Sequence, residues 1–398
     1  MWCARGGRKA GFPQLALVAL VVVVLVMAGC GPTGPYWETL DSSQSDTIMS
    51  LAQDTSQTKI LYAGANHGAV YRTRTDGVSS PINGSGLPSS AVVNALLPDP
   101  HRPGIVYAAT TSGLYVTTDD GNSWNPLGTG LPNNDVLTAL AFGANGTLLA
   151  GTLAHGVYAS ADQGHTWTSA SAGLPASASV NILFSDSTTQ TVFAGLDGDG
   201  LYASADNGQT WTQRTSGLPA NAHVYALAET PSKGINPSGP TLYVGAGTGL
   251  YASADDGRTW TQSNVRQGLP SGSVRALAAD LQTPGVLYAG IGSTVYTTTD
   301  GGTHWSELAS GLSHQVTSLV VAIPPGGKAV VFAGAGQLQR FPAIGASNNP
   351  IVGTIFTWGF ILLLAGLGFY VIRRARLQRE DSARRMRSRI PPPNRPQL

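Results

Sequence analysis

The sequence predicts an all-β protein: a seven-bladed β-propeller with four-stranded blades, closed by an N-terminal outer strand and followed by one C-terminal transmembrane helix. Two repeating patterns carry this reading. A Ser/Thr-x-Asp-x-Gly-x-Ser/Thr-Trp motif recurs with Trp-to-Trp steps of 43, 44, 49 and 45 residues. A short strand of the Tyr-Ala-Gly type recurs seven times, starting at Tyr62, Tyr107, Leu149, Phe193, Tyr243, Tyr288 and Phe332. Units of about 40–45 residues with four short strands and no helical periodicity indicate propeller blades; a parallel β-helix needs a much shorter period.

The Asp motif occupies Thr117 to Trp124, Ser160 to Trp167, Ser204 to Trp211 and Ser253 to Trp260, and Thr298 to Trp305 is a copy with His304 in the second Ser/Thr place. A degenerate copy at Thr73 to Gly77 leaves Ser80 where the Trp would stand. These residue types suit a hairpin. The carboxylates of Asp119, Asp162, Asp206, Asp255 and Asp300 can accept N–H bonds two residues on, and Gly121, Gly164, Gly208, Gly257 and Gly302 supply a positive φ. Trp124, Trp167, Trp211, Trp260 and Trp305 are then expected to pack between layers. Burying one Trp contributes roughly 4–6 kcal/mol by area.

Gly-Leu-Pro follows the Trp strands at Gly86, Gly130, Gly173, Gly217 and Gly268, with Gly311-Leu312-Ser313 as a variant. An insertion, Pro231 to Pro240, explains the long step. Closure is also legible. Trp37-Glu38-Thr39-Leu40 matches Trp305-Ser306-Glu307-Leu308, while the seventh unit ends at Arg340 without a Trp strand. The N-terminal segment is therefore expected to supply the last blade's outer strand and remove an exposed edge.

The ends read as membrane segments. Residues 1–30 look like an export signal, with Arg5, Arg8 and Lys9 before an apolar run that ends in Met27-Ala28-Gly29-Cys30. Small residues before a Cys resemble a lipobox, which would make Cys30 a lipidation site; an uncleaved N-terminal anchor is the other reading, with the same topology. Residues 31–342 form the propeller and 343–350 a linker. Ile351 to Ile372 is uncharged and long enough to cross a bilayer, and the tail 373–398 begins with Arg373 and Arg374. By the positive-inside rule the tail is cytoplasmic and the propeller outside. Lys plus Arg against Asp plus Glu is 3 to 0 before Cys30, 11 to 20 up to residue 350 and 9 to 2 after Ile372. The basic tail reads as a topology anchor rather than a nucleic-acid binder. Cys3 and Cys30 are the only cysteines, so neither disulfide nor thiol chemistry is expected in the propeller.

Ser204 to Trp211 (Ser-Ala-Asp-Asn-Gly-Gln-Thr-Trp) and its copies resemble the BNR/Asp-box repeat over about Trp37 to Pro342. That resemblance implies the fold and leaves the activity open, because sialidases, xyloglucanases, sortilin-type receptors and photosystem II assembly factors share it. The assembly factors are nearest in build: seven-bladed, lipoprotein-like in bacteria, and acting by protein binding. This chain departs from them in its C-terminal apolar segment and its few arginines.

Catalysis is not expected. A sialidase-like site needs an arginine cluster with a nucleophile and an acid. The family's Phe-Arg-Ile-Pro signature is absent from the N-terminal region, and Glu occurs in the propeller only at Glu38, Glu229 and Glu307. Xyloglucanases resemble two such propellers forming a cleft, which this length does not allow. No cofactor or metal is expected either: the seven His are dispersed, and Asp197-Gly198-Asp199-Gly200 matches only part of a calcium loop. The expected function is a protein-binding or assembly module; a glycan-binding or sialidase-like propeller is the alternative, favoured by aromatic residues at the channel mouth.

Elimination points to a partner face. Asp54, Asp99, Asp186 and Asp280 recur after the first strand as turn residues, and the motif Asp belong to hairpins. Asp41, Asp46, Asp135, Asp197 and Asp199 remain, all in loops that enter a blade or join its second and third strands. His67, His155, His223 and His314 share those loops, so an acidic, His-bearing face around the channel mouth is expected to recruit a basic partner.

Overall fold

The computed structural model describes residues 37–40, 46–75, 84–132, 135–186, 188–231, 236, 239–263, 268–309, 311–324 and 329–341. The chain divides into two units, Met1–Ile344 and Gly345–Leu398, and every described residue belongs to the first. Cys30, Asp41, Asp76, Ser80 and the apolar segment 351–372 lie outside the described residues. No helix among the described residues is long and apolar enough to cross a membrane.

Seven antiparallel sheets form the blades. Their inner strands are Ile48–Gln53, Val93–Pro98, Leu137–Phe142, Val180–Ser185, Val224–Thr230, Val274–Ala279 and Ser318–Ala322. Each inner strand touches the next, and the seventh touches the first, so the ring closes. Blades 2 to 6 take all four strands from consecutive sequence, and blade 1 has three among the described residues. Blade 7 takes its outer strand from Glu38–Thr39, with Glu38 opposite Arg340 and Thr39 opposite Gln339. The N-terminal closure expected from Trp37 to Leu40 is therefore observed.

The two most visible sequence signatures are halves of one contact. Trp124 shares a core cluster with Tyr62 of the preceding blade, and Trp167 does so with Tyr107. The pattern continues with Trp211 and Leu149, Trp260 and Phe193, and Trp305 and Tyr243. Each Trp is buried at the joint between its own blade and the one before. The hydrophobic clusters therefore run across the joints between blades.

The hairpin geometry corrects one expectation. The Asp carboxylate reaches four residues on, not two: Asp206 accepts the backbone N–H of Thr210 at 2.8 Å, and its other oxygen takes the Thr210 hydroxyl at 2.5 Å. Ser204 starts the turn, giving its hydroxyl to Asp206 at 2.7 Å and accepting the N–H of Gly208 at 2.8 Å. The same pair of clasps recurs at Asp119, Asp162, Asp255 and Asp300. Gly257, at φ +74, is needed twice over: a Cβ there would stand 2.9 Å from the Phe193 ring of the preceding blade. The four repeated turn Asp behave as expected. Asp54, for example, is 1% exposed and accepts the N–H groups of Ser56 and Gln57 at 2.9 and 3.0 Å.

Candidate functional site

The inner strands surround a channel cavity of about 330 Å³. Three residues per blade line it, the second to the fourth of the inner strand in six blades and Thr317 to Leu319 in the seventh, so the cavity lies in the half of the channel nearest the inner-strand entries. Farthest from the entry is a ring of seven leucines, Leu51, Leu96, Leu140, Leu183, Leu227, Leu277 and Leu319. Above it comes a belt of mostly small side chains, such as Ala95, Ala139, Ala226 and Ala276.

The ring nearest the entry is built by β-bulges. In six blades the pairing shifts by one residue beside the inner-strand entry, leaving Met49, Asn94, Thr138, Asn181, Tyr225 and Arg275 without a partner in the ladder. A bulge re-aims its side chain, and here it aims towards the channel mouth. Three of these bulged side chains latch across to the next blade's entry carbonyl, and at two further joints a neighbouring Ser or Thr makes the same bond. Asn94 Nδ2 donates to Leu137 O at 2.9 Å, Asn181 Nδ2 to Val224 O at 3.1 Å and Thr317 Oγ1 to Ile48 O at 2.8 Å. Thr138 bonds Val180 O in the same way, and Ser50 replaces Met49 by bonding Val93 O at 3.0 Å.

Tyr225 and Arg275 break the series. Neither makes the latch; the Arg275 guanidinium instead lies 4.6 Å from the Tyr225 ring centre. His223 stacks on the same tyrosine, with centroids 6.3 Å apart and planes 14° from parallel. His223 Nδ1 meets Asp197 Oδ1 at 2.6 Å, and Asn181 Nδ2 reaches that oxygen at 3.5 Å. The His223 bond, ahead of Asn181 and the charge of Arg275, holds the Asp197 carboxyl below its ordinary range despite some burial. The result is a continuous stack, Asp197–His223–Tyr225–Arg275, across blades 4, 5 and 6.

The expected partner-face residues are brought together in pairs. Inner-strand entries and the turns between second and third strands lie at one end of every antiparallel blade. On that end His155 Nδ1 sits 2.6 Å from Asp135 Oδ2, and His67 Nδ1 lies 3.1 Å from Asp46 Oδ1. With Asp197 and His223 that makes three Asp–His pairs, two within a blade and one across a joint. Asp199 is exposed, and His314 takes the Ser313 hydroxyl at 2.8 Å. Asp135 differs from its counterparts: its side chain is 5% exposed and also receives the Val136 N–H at 2.8 Å, so it holds its loop. Tyr225 and Arg275 were not singled out from sequence. Aligning the second position of all inner strands was the available signal, since only these two carry an aromatic or a charge.

Among the described residues no group of His, Cys, Asp or Glu is arranged to hold a metal ion. A larger recess of about 600 Å³ lies outside blade 1, lined by Lys59, Arg72 and Asp120. It shares no residue with the channel lining.

Seven radial antiparallel sheets, six of them four-stranded among the described residues, around a lined channel define a β-propeller. The chain belongs to the DUF6242 β-propeller domain family, whose model matches residues 36–200 and 197–321. No curated protein sequence matches it. Among solved structures it is similar to the GH74 xyloglucanase of Xanthomonas campestris, with 17% identity over 77% of this chain and 53% of that one and a TM-score of 0.57. The GH74 enzyme of Niastella koreensis gives 18% identity, 78% and 54% coverage and a TM-score of 0.59. The chain thus spans about half the length of these enzymes. YCF48 bound to D1 peptide gives 18% identity and a TM-score of 0.56, covering 79% of this chain and 99% of that one. At these identities the likeness concerns the fold.

Proposed function

We propose that this protein is a non-catalytic, extracytoplasmic propeller that binds a protein partner through its channel-mouth face, in the manner of an assembly factor. Its hairpins are of the Asp-box kind, and the apolar segment 351–372 holds it at a membrane. The observation that carries the reading is the convergence of three Asp–His pairs on one face around a lined mouth. The five motif Asp of the hairpin rim, by contrast, are bonded within their own turns. The channel wall holds no carboxylate, whereas glycoside hydrolysis needs two flanking the scissile bond. YCF48 bound to D1 peptide is matched over 99% of its own length, against about half of each GH74 enzyme, which supports a peptide-binding build.

The test is photo-crosslinking of the full-length protein in its native membrane fraction. One adduct is expected, weakened by Asp199→Lys, which reverses a charge on the acidic face. An adduct indifferent to this change but lost on altering the hairpin rim would place binding on the other face.

Tyr225 favours a second reading. It is an aromatic at the mouth, as a glycan-binding propeller would present. Retention on a glycan array, lost in Tyr225→Ala, would establish that reading in place of the first.

A further inference from the structure

We infer that Arg275, held over Tyr225, is the anchor of a carboxylate subsite: it grips a carboxylate on an entering protein segment whose neighbouring apolar side chain points down the channel towards the leucine ring. The inference rests on the protein-binding reading above and adds the chemistry of what enters.

The first argument is the broken repeat. At five joints a side chain at the inner-strand entry is spent on latching the next blade. At the two joints after blades 5 and 6 that latch is given up, and larger side chains stand in its place. Departures from a local rule that is kept elsewhere mark function more often than error. The second argument is charge. Arg275 is the one charged residue of the channel lining, and it is exposed. Asp197, the acid on which its charge acts, is engaged by His223 and Asn181 instead. The guanidinium is therefore oriented by the ring beneath it while its donor edge stays open, and a planar carboxylate matches that edge with two parallel bonds.

The third argument is the wall below. Small side chains and then seven leucines offer an apolar side chain somewhere to go; of the belt's two serines, Ser50 is already bonded to Val93 O and the Ser318 hydroxyl is buried out of reach. Sugar hydroxyls placed there would lose water without gaining partners, which disfavours a glycan acid. Around the mouth Asp46, Asp135, Asp197 and Asp199 favour basic residues flanking the carboxylate.

The experiment is fluorescence-anisotropy titration of the full-length protein with three acetylated hexapeptides, each starting with two lysines and ending in leucine. One has a free terminal carboxylate, one is amidated, and one is amidated with glutamate before the leucine. At least one carboxylate peptide should bind about tenfold tighter than the plain amide, and which one does separates a chain end from a side chain. Arg275→Gln should erase the difference without moving the melting temperature, and Arg275→Lys should keep part of it. Equal binding of all three, weakened by Asp199→Lys, would overturn the inference and leave protein binding standing. No binding by any peptide would overturn both. An oligoglucuronate binding more tightly than the peptides would overturn the inference in favour of a glycan.

Discussion

The indole Nε1 of Trp37 donates to the carbonyl of Ala309, 272 residues away, at 3.3 Å. Trp211 and Trp260 make the equivalent bond to the preceding blade, to Ala170 at 2.7 Å and to Arg214 at 2.9 Å. Trp37 also shares a core cluster with Tyr288 of blade 6, as the motif Trp do with their preceding blades. It is the seventh blade's tryptophan, delivered from the other end of the chain. Trp37→Ala should cost about 3–5 kcal/mol, the loss expected for a buried Trp. Arg340→Ala, which removes the partly exposed Glu38 pair of the same joint, should cost less than about 1 kcal/mol. Urea denaturation of the two variants compares them; equal losses would mean the joint is not held by the indole.

The hairpin carboxylates make an acid-stability prediction. The hydroxyl of Thr166, then its N–H and the Ser160 hydroxyl, hold the Asp162 carboxyl down at about 2. At Asp300 burial pushes upward, but the N–H and ring of His304 and the Thr298 hydroxyl outweigh it and leave a value of about 2. A carboxyl depressed in the folded state stabilises above its unfolded value near 4 and loses that contribution as pH falls through 2. The melting temperature should therefore drop between about pH 4 and pH 2. Asp162→Asn should lower it at pH 7 and flatten that slope.

Glu229 behaves in the opposite sense. Burial first, and then the charges of Asp186 and Asp256, raise its carboxyl to about 7; the Thr188 hydroxyl opposes them. Because the folded state keeps this proton longer than the unfolded chain, stability is lost as pH rises from about 4.5 through 7. Glu229→Gln should raise the melting temperature at pH 8 and leave it nearly unchanged at pH 4. A variant that is less stable at pH 8 would assign Glu229 a bonding role instead.

The partner-face acids should separate under mutation. Asp135→Asn should lower the melting temperature, because its buried carboxylate holds His155 and the Val136 N–H. Asp199→Lys should leave the melting temperature unchanged and weaken only partner capture. A triple charge reversal that includes Asp135 would confuse the two effects.

Topology can be tested directly. Protease added to intact cells should remove the propeller and spare the arginine-rich residues 373–398, as the positive-inside rule requires. Digestion of that tail with the propeller surviving would reverse the orientation.

The blade count, the closing strand and the hairpins were legible because each repeats a residue type whose geometry leaves few choices. Trp37 could be placed in the last blade since Trp37 and Leu40 repeat the spacing of Trp305 and Leu308. The Asp–His face was legible as a set of loops, but not its pairing, because His223 reaches across a joint to Asp197 while His67 and His155 stay within their blades. The mouth ring was hidden for a different reason. A bulge moves one residue out of the period-two alternation, so Tyr225 and Arg275 read as ordinary half-buried strand positions.

The closing strand also sets how the ring responds to force. Glu38 pairs with Arg340 and Thr39 with Gln339, so the chain enters the short strand and leaves the long one at the same end of the ladder. Tension applied between the two flanking segments would load these rungs one after another, like a zipper, rather than all together in shear. Opening would begin where Trp37 packs on Phe341, pass to Glu38 and Arg340, and then break one rung at a time. Were both flanks tethered to a moving bilayer, this joint would act as the mechanical fuse of the ring, yielding before any of the four-stranded blades built from continuous chain.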